Sequence, residues 1–349
     1  MKNNLLTICI TGLVLSVTSL PSSATAEEPI FTDQLTSYAA ISGGALNIAG
    51  NSVVDRDLAA KAAVVIGAGI NSQAQNIYAG AAVTIGTLST VKDVIAGAAA
   101  TIGGGATTGD IHAGAAITLG AFSNAQKVYA GAAITSGAGA TKTEVVPKSQ
   151  TLLGDIDGQI KNTPALTDAL KQIQLAQTML IELTPNAKST PVSTVLGGEV
   201  RLTPGIFDGT ALTIDANSTI TFDSSEAGNN TIATNHVWVI NLSQALTVGA
   251  NTTFEIEAAE GLNQDTHTII WNVGAALNLG ANTSFLGTAL VDGAVNAATS
   301  SVSCGHLYAT GIISIGSIGT DSQLCGNPSD LKPLSIATLE NLPEAKLYP

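Results

Sequence analysis

The stretch Gly80-Ala-Ala-Val-Thr-Ile-Gly86 returns as Gly97-Ala-Ala-Ala-Thr-Ile-Gly103, Gly114-Ala-Ala-Ile-Thr-Leu-Gly120 and Gly131-Ala-Ala-Ile-Thr-Ser-Gly137, each copy 17 residues after the last. A fixed short period is the mark of a solenoid, in which one repeat cannot bury its apolar side until the next stacks on it. A coil this short with no helical pattern inside it predicts a β-helix. Alternation assigns the faces. Val83 and Ile85, Ala100 and Ile102, and Ile117 and Leu119 point inward. Ala82 and Thr84, Ala99 and Thr101, Ala116 and Thr118, and Ala133 and Thr135 point outward. Glycines at both ends of the phrase mark corners, where a Cβ would crowd the turn. Ala45-Leu46-Asn47 and Ala63-Val64-Val65 are earlier, less regular versions. Asp93-Val94-Ile95, Asp110-Ile111-His112 and Lys127-Val128-Tyr129 precede the Gly columns, and their charged and aromatic residues predict an ordinary solvated side.

The coil pattern spans 30–140 and stops near Lys142. A connector follows, and then Thr163 and Pro164 give a helix start, an N-cap followed by proline at the first helical position. Leu166, Ala169, Leu170, Ile173, Ala176, Leu180 and Leu183 fall on one helical stripe that Pro185 ends, so 141–185 is connector plus helix. A lone amphipathic helix needs a surface, and the bare flank of the solenoid supplies it. The β pattern resumes over 196–319. The outward phrase returns there as Thr210-Ala211-Leu212-Thr213, Ala245-Leu246-Thr247, Ala276-Leu277-Asn278 and Ala294-Val295-Asn296, while Gly311-Ile312-Ile313 breaks the Thr/Asn rule. Asn217-Ser218-Thr219, Asn251-Thr252-Thr253 and Asn282-Thr283-Ser284 read as Asn-containing corners. Residues 27–325 form one solenoid domain on this reading, and 326–349 an irregular tail.

Bulk properties narrow the function. Charged residues are only 11% of the chain against 45% apolar, a β-rich rather than a disordered composition. The net charge of −13 repels phosphate backbones and anionic lipid, so neither nucleic acid nor membrane is an expected partner. Lys2, the apolar run Leu5 to Leu20 and the small-x-small Ala24-Thr25-Ala26 read as a signal peptide over 1–26, cleaved after Ala26, which predicts a secreted product. Cys304 and Cys325 remain after cleavage, an even pair in an oxidising compartment. A disulfide would be worth about 3 kcal/mol; two free thiols are the alternative.

From Leu196 onward the chain resembles the large secreted ice-binding (antifreeze) β-solenoid family of cold-adapted bacteria, fungi and algae. Leu196-Gly197-Gly198 and Leu202-Thr203-Pro204-Gly205-Ile206-Phe207 resemble that family's phrase after its long helix. His236 to Asn241, Ile270-Trp271-Asn272-Val273, Phe285 to Leu290 and Gly305-His306-Leu307-Tyr308-Ala309 resemble its later strands in order, with departures at Asn241, Asn272 and His306. The resemblance implies an all-β fold: an irregular, right-handed, three-sided β-helix with one long α-helix packed alongside. It also implies a flat face that binds ice, and part of the family carries a Thr-Ala/Gly-x-Thr/Asn motif there. Thr210-Ala211-Leu212-Thr213 fits that motif fully. The expected ice-contact residues are therefore Ala82, Thr84, Ala99, Thr101, Ala116, Thr118, Ala133, Thr135, Thr210, Ala211, Thr213, Ala245, Thr247, Ala276, Asn278, Ala294 and Asn296. The expected partner is the ice surface, met by a monomer that needs no cofactor or metal.

Two other classes remain to be weighed. β-Helical polysaccharide enzymes need clustered carboxylates in a groove. Here Asp155-Ile156-Asp157-Gly158 is the densest acidic spot, and it lacks the later ligands of a calcium loop. His112, His236, His267 and His306 show no metal-ligand spacing. An adhesive or structural surface solenoid is the other rival, since Thr ladders also stabilise strands by cross-strand pairing.

Overall fold

Short strands of two to seven residues wind into stacked coils in this computed structural model, which describes residues 31, 35–146, 164–183, 188–225, 236–257, 267–316, 323–325 and 334–349. The signal segment, Asp155 to Gly158, Thr163 and Pro185 lie outside the described residues. One face of the stack is a sheet of twelve strands, all parallel. The other two faces join into one sheet of 24 strands, because Asn124–Ala130 pairs with both Thr107–Thr108 and Ile111–Ala113.

The chain enters this stack in the middle. Leu46–Ile48 begins a run of six face strands that climbs to Ile134–Ser136. The chain then leaves, forms the long helix, and re-enters at the opposite end with Val195–Leu196. Six more face strands return to Ile313–Ile315, which pairs in parallel with Leu46–Ile48. The same seam closes on the other faces, where Leu307–Ala309 meets Tyr38–Ser42 and Gln323–Cys325 meets Val53–Val54. Two arms from distant parts of the sequence thus make one solenoid.

The interior explains why the arms differ. Val83, Ile85, Ala100, Ile102, Ile117 and Leu119 fill the N-terminal arm with aliphatic side chains. The C-terminal arm holds Phe222, Trp238, Phe254, Trp271 and Phe285, packed edge to face, tilted or, for Phe222 and Phe254, stacked, at centroid distances of 5.3–6.5 Å. Each buried indole finds an acceptor: Trp238 Nε1 donates to the Leu202 carbonyl and Trp271 Nε1 to that of Leu286, both at 2.9 Å. Small residues allow the tight 17-residue coil; aromatics require longer, more irregular ones.

The long helix, Pro164–Leu183, buries Leu166, Ala169, Ile173, Ala176, Leu180 and Leu183 against Ile41, Ala59, Ile206, Val237, Val239, Ile270, Leu290 and Tyr308. Each fully buried aliphatic contributes about 1.5–3 kcal/mol. Asn241 and Asn272 fasten it further. Asn241 Nδ2 donates to the Leu180 carbonyl at 2.9 Å, and Asn272 Nδ2 reaches Asn241 Oδ1 at 3.0 Å and the Gln177 carbonyl at 3.3 Å. The helix crosses the seam and holds both arms.

Several boundaries differ from the sequence reading. The coils run on past 140 through the strand Thr141–Val146 and begin again at Ser189–Pro191, before 196. Gln323–Cys325 is a strand beyond 319; Cys304 is disulfide-bonded, and Cys325 is its register partner. The tail expected to be irregular contains a short helix, Ile336–Glu340, capped by Ser335, and the strand Leu347–Tyr348, antiparallel to Arg201–Leu202. Its cause is the end of the stack: Thr203 N–H donates to the Lys346 carbonyl at 3.0 Å, and Lys346 N–H to Thr203 Oγ1 at 2.8 Å, so edge groups there find partners. The side expected to be solvated is half-buried, with Tyr78, Ile95, His112 and Tyr129 in one register column. His112 and Tyr129 stack at 4.2 Å, and the Asp93 and Asp110 carboxylates each accept a backbone N–H from the next coil.

The glycine column sets how closely coils approach. A Cβ on Gly103 would lie 2.5 Å from the backbone of Gly86 and Thr87. Gly103→Ala is expected to destabilise the protein by about 1–3 kcal/mol through overpacking, read as a lower midpoint in urea unfolding with an unchanged slope.

Candidate functional site

The twelve-stranded face is built by one alternation repeated in ten of its strands, from which the end strands Ile134–Ser136 and Val195–Leu196 depart. Two flanking aliphatics point in, and the residue between them points out. The outward residues of neighbouring strands are direct register partners. From one end they run Thr135, Thr118, Thr101, Thr84, Val65, Asn47, Ser314, Asn296, Asn278, Thr247, Thr213 and Val195. At about 4.8 Å per step this column is roughly 50 Å long. Two residues earlier on each strand, about 6.8 Å away, Ala82, Ala99, Ala116, Ala133, Ala211, Ala245, Ala276 and Ala294 make a second column. The backbone carbonyls of all of these but Ala211, for example Ala99, Ala116 and Ala133, accept from the inward residue of the adjacent coil, which holds the second column in the same register.

All seventeen residues singled out in the sequence lie on this one face, Thr210 at its rim. The six outward threonines, Thr84, Thr101, Thr118, Thr135, Thr213 and Thr247, are all exposed. No charged residue stands in either column. The buried residues of the helix pack on a different face and leave this one uncovered. Side-chain amides lock part of the ladder: Asn296 Nδ2 donates to Asn278 Oδ1 at 3.0 Å. The corner asparagines form a second chain, Asn282 to Asn251 to Asn217, with both bonds at 3.0 Å.

Sequence reading missed the seam rungs as members of the face. Asn47 and Val65 were visible as irregular copies, and the structure puts them in the middle of the column. The rung near 312 is Ile312-Ile313-Ser314, with Ser314 opposite Asn296, so a one-residue offset concealed its polar outward residue. The face is also not flat throughout. At the seam it dips into a shallow depression of about 620 Å³ lined by short side chains that include Ala49, Ser314 and Ala298.

The fold and this face together make the molecule a parallel β-solenoid with one uncharged, two-column ladder of small and hydroxylated side chains. A family model described as Ice-binding-like matches residues 98–320, and the chain belongs to that family. Among solved structures it is similar to the ice-binding protein of the Antarctic ascomycete Antarctomyces psychrotrophicus, at 13% identity and TM-score 0.45, covering 84% of this chain and 98% of that one. The ice-binding protein 1 domain of Shewanella frigidimarina gives 15% identity and TM-score 0.43, covering 84% and 95%. An ice-binding protein from an Antarctic biological consortium gives 14% and 0.42, covering 86% and 94%. No curated protein sequence matches the chain.

The histidines were read as scattered, yet His236 and His267 are register partners whose rings stack at 5.7 Å. His267 Nε2 lies 3.1 Å from Ser224 Oγ. That hydroxyl also lies 3.2 Å from the Glu257 carbonyl, to which it can donate, and the pair is buried. Among the described residues no group of three or more His, Cys, Asp or Glu could hold a metal, and no helix is long and apolar enough to cross a membrane.

Burial, and then the neighbouring His267, lowers the pKa of His236 below its ordinary 6.5. His112 is lowered too, by burial, against the opposing pull of Asp110 and Asp93. The folded protein thus binds fewer protons than the unfolded chain just below that value. The stability contributed by keeping these two histidines neutral is full above about pH 6.5 and is lost as pH falls from there through the lowered folded-state values. Melting temperature is expected to drop between pH 7.5 and pH 5.5, and His236→Phe to shallow that slope.

Proposed function

We propose that the protein adsorbs to ice through the twelve-rung face and thereby restrains ice growth and recrystallisation. It does so as an exported single copy that catalyses no reaction. The observation that carries this is the register of the face: two ladders from different arms of the chain meet rung for rung across the seam, on one uncharged face. A structural ladder within one arm would not need to continue into the other.

The chemistry fits the target. The grid of about 4.8 Å by 6.8 Å is near repeat distances in ice. Methyls of the Ala column order water only weakly, while Thr and Asn anchor it by hydrogen bonds. Charged groups would hold strongly oriented shells at odds with a lattice, and the columns have none. Thr is stiff at χ1 and the Asn278–Asn296 pair is tied, so little side-chain freedom is lost on contact.

Purified protein is expected to slow recrystallisation and to shape ice crystals at micromolar concentration. Thr118→Tyr or Thr213→Tyr should abolish this while circular dichroism and melting temperature stay unchanged, because a bulky ring lifts the plane off the crystal. Ordinary ice growth in the presence of folded parent protein would favour an adhesive solenoid; full activity in both variants would place the site on another face.

A further inference from the structure

Among the described residues, most coils turn off the face at a corner that holds a residue with left-handed backbone. Asn51, Gly105, Gly139, Asn217, Asn251, Asn282 and Ser300 serve there, small or amide residues that mostly tolerate positive φ. Two corners break the pattern. Leu88 has φ of +62° and Phe122 of +57°, a conformation that large side chains rarely adopt. Neither residue is retained for the core, since Leu88 is 52% exposed and Phe122 75% exposed. Ile70, in the corner of the coil preceding that of Leu88, is 71% exposed.

The Leu88 and Phe122 side chains rest against the following coil. A Cβ on Gly105 would come within 2.8 Å of Leu88 Cδ2, and one on Gly139 within 2.6 Å of Phe122 Cδ1. Each large side chain lies over the glycine of the following coil, so glycine in alternate corners makes the seat and the result is a ridge. The ridge begins two residues past Gly86 and Gly120, where the threonine rungs end. It belongs to the N-terminal arm; in the C-terminal arm the same column is the Asn217–Asn251–Asn282 amide chain.

We propose that Leu88 and Phe122, with Ile70, are further ice-contacting residues: a rigid apolar edge that extends adsorption around the corner and registers with ice at an angle to the Thr columns. The inference rests on the reading that the threonine face binds ice, with which the ridge is continuous. An exposed apolar ridge held in an unfavourable backbone conformation persists where its surface is used. Apolar groups hold no tightly bound hydrogen-bonded water that an advancing lattice must strip away, and covering them removes apolar area from the liquid.

The test is the double variant Leu88→Asn with Phe122→Asn, since asparagine occupies this corner position elsewhere in the stack. It is expected to fold with equal or higher melting temperature. Its thermal hysteresis should fall at least twofold, and fluorescently labelled protein should lose part of the set of planes that the parent marks on a single-crystal ice hemisphere. Phe122→Leu should keep the parent pattern. Should the double variant misfold, Phe122→Gly carries the same expectation, glycine being the residue at the corners of the two flanking coils. An unaltered plane pattern and hysteresis overturn the ridge. Thr118→Tyr measured alongside separates the two ideas: inactivity there with an unaltered corner variant sinks the ridge alone, whereas full activity there with a weakened corner variant sinks the face and keeps the ridge.

Discussion

The parallel pairing of Leu46–Ile48 with Ile313–Ile315 is the contact on which the molecule depends. Without it the protein would be two half-solenoids, each exposing an unpaired strand edge at the centre of the stack. With it, hydrogen bonding, core and outward columns run uninterrupted between the arms. Long-range closure of this kind costs chain entropy, which grows only slowly with loop length. The helix offsets that cost by packing across the joint, on Ile41 and Ala59 from one arm and Leu290 and Tyr308 from the other.

Much of this was legible in the residues. The near-identical phrases gave period, inward and outward faces and corners, because in a solenoid each coil meets the same neighbours and so carries the same constraints. The helix was legible from its stripe and its opening proline. The stacking order was not. Nothing local in Leu46-Asn47-Ile48 says that its partner is Ile313-Ser314-Ile315 rather than a coil nearer in sequence; parallel pairing is specified by an interior that two arms must share. The seam rungs were missed for the same reason, as Val65 and Ser314 depart from the Ala/Thr pattern and become face residues only through their neighbours. The histidine stack of His236 and His267 was hidden by the length of chain between two coils.

The two arms solve one geometrical problem with different materials. Alanine, valine and isoleucine give a narrow N-terminal interior with a strict period and outward threonines. Tryptophan and phenylalanine give a wider C-terminal interior whose coils are irregular on the other faces, and yet the face strand in each coil stays three residues long in most of them. The outward column therefore holds its register although the perimeter of the coil changes. The constraint lies on the strand hydrogen bonds, and variation is pushed to the sides that the helix and corners occupy.

Because the first described coil lies at the centre of the stack, the most repetitive coils lie far out on one arm, ending at Ile134–Ser136 and beyond the stretch of sheet on which the buried helix residues pack. A duplicated 17-residue unit inserted there would enlarge the columns by one step without disturbing the joint or the tail. The architecture is in this sense extensible, and the contact area of the molecule is open to gradual adjustment by unequal copying of a single short module.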